Sequence, residues 1–147
     1  MDLATLLLDA ESDIVGDSYT HLHRSHVAHY ESAGEDLTRQ RLDELFRLVV
    51  GAIRDRDLSA VGDYSAKIAT ERFEEGFDIG EVQAAFNALE QSIWRRVVAE
   101  TPPEDLAEAT GLVGTVLGFG KDVLARTYVS LASQRHVRSL DLSALFS

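Results

Sequence analysis

Apolar residues in this chain recur at steps of three and four, and no alternation of apolar with polar positions survives over six residues. That is the helical period, so helix is predicted almost throughout. A first helix is expected over residues 3–23, with Leu3, Leu6, Leu7, Ile14 and Leu22 inward. "YESAGED" reads as a loop into a second helix over residues 35–56, which buries Leu42, Leu45, Phe46, Val49 and Ile53. A third over residues 58–75 turns Val61, Tyr64, Ile68 and Phe73 inward. The clearest stripe is the fourth: Ile79, Val82, Phe86, Leu89, Ile93 and Val97, with Trp94 at its edge.

The punctuation agrees with the period. In "EGFDIGEV", Gly76 suits a left-handed helix end, while Asp78 followed three residues later by Glu81 is a capping pair for a new helix. "TPPEDLAEA" opens a fifth helix with proline in the first turn and acids at the positive end of the dipole. That helix is expected to reach about residue 136. The expectation is therefore an all-α domain of about five helices, bundle-like or globin-like, over residues 1–138, followed by a short tail over residues 139–147. The tail begins with a capping Ser139 or Asp141 and carries Leu142, Leu145 and Phe146.

Composition narrows the function classes. The net charge is −11, and the first twenty residues hold five acids and no Lys or Arg, a field that repels a phosphate backbone and argues against a nucleic-acid partner. No cysteine is present, which excludes disulfides and thiolate chemistry. The N-terminal segment lacks a basic n-region, and its run Leu6–Leu8 is too short for a signal or a membrane span, so a cytoplasmic protein with no membrane partner is expected.

Candidate chemistry is sparse. "HLHRSHVAHY" gathers four of the five histidines, His21, His23, His26 and His29. On a continuing helix His23 and His29 would stand roughly 9 Å apart along the axis, too far to share one zinc ion at about 2.0–2.1 Å from each nitrogen. Only His26 with His29 could share a metal, and no second motif completes such a site. A surface role or a pH response of imidazole are the other readings. "GLVGTVLGFGKD" fails as a phosphate loop: Thr115 stands where the first glycine belongs and Asp122 where Ser or Thr would hold magnesium. Its glycines Gly111, Gly114 and Gly118 instead line one helix face. Each costs up to about 1 kcal/mol against alanine, so a closely packed backbone partner is expected there, from this chain or a second subunit. Adjacent acids Glu74 and Glu75 point apart on a helix, and no Ser-His-Asp set or nucleophile elbow stands out, so no enzyme activity and no cofactor are expected.

The segment "RFEEGFDIGEVQAAFNALEQSIWRRV" resembles the N-terminal sensory domain of the RsbR/RsbRD co-antagonist family of stressosome proteins. The matching residues are Arg72, Phe73, Gly76, Phe77, Asp78, Glu81, Val82, Ala85, Asn87, Leu89 and Trp94, with support from His29–Tyr30 and from "RLDELFRLVVGAI" at residues 41–53. The resemblance spans residues 3–135 and implies a globin-like fold without haem, pairing as a homodimer and relay of a signal to an output domain. The stressosome output is a STAS domain. This chain stops at Ser147, so a free-standing sensory or dimerisation module is the expectation. The pairing surface would be the face of Gly111, Gly114 and Gly118 with the apolar residues near Trp94, and the tail could dock a regulatory protein. The alternatives are a small-molecule or haem sensor with its cavity among Tyr64, Phe86 and Trp94, and a metal protein built on His26 and His29.

Overall fold

Seven α-helices account for nearly all of the backbone in the computed structural model, which describes residues 2–25 and 27–145, side chains of residues 136–145 excepted. In chain order they are α1 (Leu3–Asp9), α2 (Glu11–Arg24), α3 (Ala28–Ala33), α4 (Glu35–Asp55), α5 (Ser59–Glu74), α6 (Ile79–Glu100) and α7 (Pro103–Leu145). No strand occurs among the described residues, and no helix there is long and apolar enough to cross a membrane.

The all-α expectation holds and the count of about five does not. The expected first helix breaks at Ala10, whose backbone leaves helical geometry at φ −105° and ψ 12°. Both segments bury the same face, with Leu7 and Ala10 continuing into Ile14 and Leu22, so the apolar period runs through the kink and does not report it. The seventh helix is α3, six residues inside the expected loop region. So short a helix has no stability of its own and is held by tertiary contacts. At the other end α7 continues as backbone helix through residue 139, where a tail was expected to begin, as far as Leu145. The expected docking residue Phe146 lies outside the described residues.

The helices form a ring. α5 lies parallel to α7 and shares with it the most extensive contact in the molecule, α6 runs antiparallel beside α7, and α2 covers α6. α4 closes the ring by touching α2, α5 and α7, while α1 bridges α4 and α6. Each helix contributes one apolar stripe: Phe46 and Val49 from α4, Val61 from α5, Leu89 and Ile93 from α6, Leu117 and Leu124 from α7, all fully buried. Each such side chain contributes about 1.5–3 kcal/mol relative to exposure, so this interior dominates stability.

The close contact between α5 and α7 is made by glycines. A Cβ placed on Gly62 would stand 2.9 Å from Phe119 Cε2, and one on Gly120 would meet Phe86, Ser65 and Val61 side-chain atoms at 3.1–3.2 Å. By contrast a Cβ on Gly111, Gly114 or Gly118 would meet nothing within 4 Å. Of the two partners expected for those three, another helix of this chain or a second subunit, no helix among the described residues packs against them. At 100° per residue they turn away from the buried stripe of Val113, Val116, Leu117 and Leu124.

Candidate functional site

The corner between α5 and α6 is built from local rules. α5 ends in a Schellman turn: Phe77 N–H donates to Arg72 C=O at 2.9 Å and Gly76 N–H to Phe73 C=O at 3.2 Å, with Gly76 at φ +90°, where glycine alone is unstrained. α6 then starts with a full capping box. Asp78 Oδ1 accepts from Glu81 N–H at 2.9 Å, and Glu81 Oε1 accepts from Asp78 N–H at 3.1 Å. Phe77, between the two devices, is fixed as a result.

Phe77 is the hub of that corner. Its ring is buried, stacks against His29 at 4.3 Å, meets Tyr30 edge-on at 5.4 Å and lies under the Arg72 guanidinium at 5.6 Å. Its carbonyl accepts from the Tyr128 hydroxyl of α7 at 3.3 Å. Three helices, α3, α5 and α7, therefore converge on this residue just ahead of α6. His29 adds a second tie: its Nδ1 stands 2.6 Å from Glu81 Oε2, the oxygen the capping box leaves unused. Burial raises the Glu81 carboxyl, but hydrogen bonds from His29 and from the Asp78 backbone outweigh it, and the net position is below the ordinary range. Glu81 is thus the carboxylate and His29 Nδ1 the donor.

The histidine-rich stretch does not form one face. α2 ends at Arg24, so His29 sits on a separate helix from His21 and His23. His21 is half-buried in the last turn of α2, and His23 is exposed and stacks on Tyr19 with ring centres 5.7 Å apart. His26 lies outside the described residues, so the His26–His29 pair has no geometry to report. Among the described residues no group of three or more His, Asp or Glu side chains is disposed to hold a metal ion.

Of the expected pocket residues, the structure brings together two of three. Tyr64 and Phe86 line a void that also touches Tyr30, Arg41 and the buried Arg72. Its volume is about 20 Å³, room for about one water molecule and far below what a haem or metabolite needs. Burial pushes the Tyr64 phenol up to about 12, so it stays protonated and can serve as a donor. Trp94 does not line this void. Eight residues beyond Phe86 on the same helix, it is rotated by about 80° toward the outer surface.

The outer face of α6 and α7 is where Trp94 and the three open glycines meet. Lys121 Nζ joins Asn87 Oδ1 and Glu90 Oε1, each at 3.2 Å, which sets the register of the antiparallel pair. Two turns back along α7 from Lys121, Gly114 is at about the level of Trp94 on α6. Trp94 is half-buried and Val98 is 58 % exposed, while Gly111 and Gly118 are exposed. A second helix could approach the α7 backbone there without steric opposition.

Two features gave no signal in the sequence. Gly62 and Gly120 are far apart along the chain, and only their meeting across α5 and α7 reveals their purpose. The second is an acid pair between α2 and α4. Arg47 Nε lies 2.7 Å from Glu11 Oε2 and 3.2 Å from Asp43 Oδ2. Burial, the hydrogen bond with Glu11 and the charge of Glu11 together push Asp43 up to about 6, while the bonds to Asp43 and Arg47 lower Glu11.

Comparison with known proteins adds one finding. Residues 14–142 match the model of the RsbT co-antagonist protein rsbRD N-terminal domain. No curated protein matches the chain, and no solved structure does.

Proposed function

The chain belongs to the family of RsbT co-antagonist protein rsbRD N-terminal domains, a family of stressosome-associated signalling domains, and on that premise we propose that it is a non-enzymatic signalling module that pairs as a homodimer through the outer face of α6 and α7. One observation carries the reading. Gly111, Gly114 and Gly118 stand open on the side of α7 away from the core, beside Trp94 and the exposed Val98. Glycine in a helix interior is a local cost, and three on one face with nothing of this chain above them fit a backbone that a second copy approaches. A two-fold pair would place the same stripe against itself, the isologous arrangement usual for dimers.

The Phe77 corner gives such a module a way to report. A shift of α6 or α7 at the pairing face reaches α3 and α5 through the Phe77 ring and the Tyr128–Phe77 hydrogen bond. Because the chain has no cysteine, a single Gly118→Cys substitution tests the pairing face directly. Mild oxidation is expected to yield a covalent dimer, whereas Asp63→Cys on α5 should form no covalent cross-link under the same treatment. Equal cross-linking at both positions would count against this face.

A further inference from the structure

Toward the start of α7, about 140° around the helix from the glycine stripe, lies an open groove of about 920 Å³, between α1, the end of α4 and the α6–α7 turn. Leu3, Leu6, Ile53 and Leu112 form its apolar floor. Six carboxylates and three guanidiniums surround that floor, so the rim is acidic in net charge. The guanidiniums are already engaged: Arg96 lies 3.2 Å from Asp13 and 3.4 Å from Glu100, Arg56 lies 3.7 Å from Glu108, and Arg54 lies 3.1 Å from Asp55. Asp9 and Asp105 on the rim are exposed and have no basic partner among the described residues.

We propose that this groove docks a basic amphipathic helix of a partner protein, leucine-like side chains on the floor and Lys or Arg against Asp9 and Asp105. The argument is charge complementarity with a shape constraint. The apolar floor calls for an apolar stripe, and the acidic rim calls for cations on either side of it. A chain of net charge −11 steers such a partner toward itself and repels an acidic one. The described residues offer no strand edge for an extended peptide to extend, so the helix-in-groove mode is the one this surface supports. At 100° per residue the groove positions Asp105, Glu108, Ala109 and Leu112 centre about 140° around α7 from Gly111, Gly114 and Gly118.

The test uses the full chain and a synthetic helical peptide with one leucine face and one lysine face, followed by fluorescence anisotropy. The expected result is saturable binding that weakens about tenfold when Asp9→Lys and Asp105→Lys are combined, the effect of losing attractive charge and adding repulsion. Two controls separate a groove from general attraction to an acidic surface. A scrambled peptide of identical composition should bind at least about tenfold more weakly, and Asp63→Lys on α5 should leave affinity unchanged. Equal binding of the two peptides, equal weakening by Asp63→Lys, or no binding at all would overturn the proposal. So would loss of self-association in the combined Asp9→Lys and Asp105→Lys variant, which would make a second copy the occupant. Gly118→Cys cross-linking is read separately, so failure of the groove and failure of the pairing face are distinguishable.

Discussion

At Gly120 an added methyl carbon would stand 3.1–3.2 Å from Phe86 of α6 and from Ser65 and Val61 of α5, all buried. Gly120→Val is expected to destabilise the chain by about 1–3 kcal/mol, the cost of overpacking a filled interior. Gly114→Ala meets nothing and gains helix propensity, so the dissociated chain should become more stable by up to about 1 kcal/mol. Thermal melts of the two variants, run dilute enough to dissociate the parent, should therefore move in opposite directions. A second residue-scale prediction concerns Asp43, whose folded carboxyl is raised to about 6, first by burial and then by Glu11. The unfolded value is about 3.9. A raised acid means that folding takes up a proton, so this group is without penalty below pH 4 and destabilises progressively as pH rises from about 4 to 6. Asp43→Asn removes that term. Denaturant midpoints of the variant should fall less than those of the parent between pH 4 and 7, and an unchanged profile would remove Asp43 from the account.

At the scale of elements, the helices with strong punctuation were legible and those without it were not. Gly76, Asp78 and Glu81 announce the α5–α6 corner in sequence because each acts on a backbone group within five residues of itself. The break at Ala10 and the short α3 depend on distant partners. Ala10 bends where α1 leaves α2 to bridge α4 and α6, and α3 exists because Tyr30 and His29 close on Phe77. Local spacing carries no record of either. The candidate site divides the same way: the glycine stripe was visible as a stripe, but whether anything covered it was not. The corner makes a graded prediction. Asp78→Ala should cost about 1 kcal/mol as a lost cap, and Phe77→Ala about 3–5 kcal/mol as a lost aromatic centre. Hydrogen exchange should rise in α3 first for Phe77→Ala, because α3 has the fewest other ties. Uniform exchange across all helices would mean that Phe77 is an ordinary core residue rather than a hub.

For the whole molecule, the void among Tyr64, Phe86 and Arg72 has room for about one water, and the function proposed for the chain rests on its surfaces. Two surfaces along α7 are available, an open glycine face beside Trp94 and an acid-rimmed apolar groove at the α1 end. α7 is the longest helix and joins both to the Phe77 corner through Tyr128. The central claim is that the glycine face pairs two copies of a signalling domain. It is tested most directly by sedimentation equilibrium of the parent chain beside Gly114→Leu, with circular dichroism to check that both are folded. The parent is expected to be a dimer across micromolar concentrations, and Gly114→Leu a folded monomer. A monomeric parent, or a Gly114→Leu variant that pairs as tightly as the parent, would contradict it.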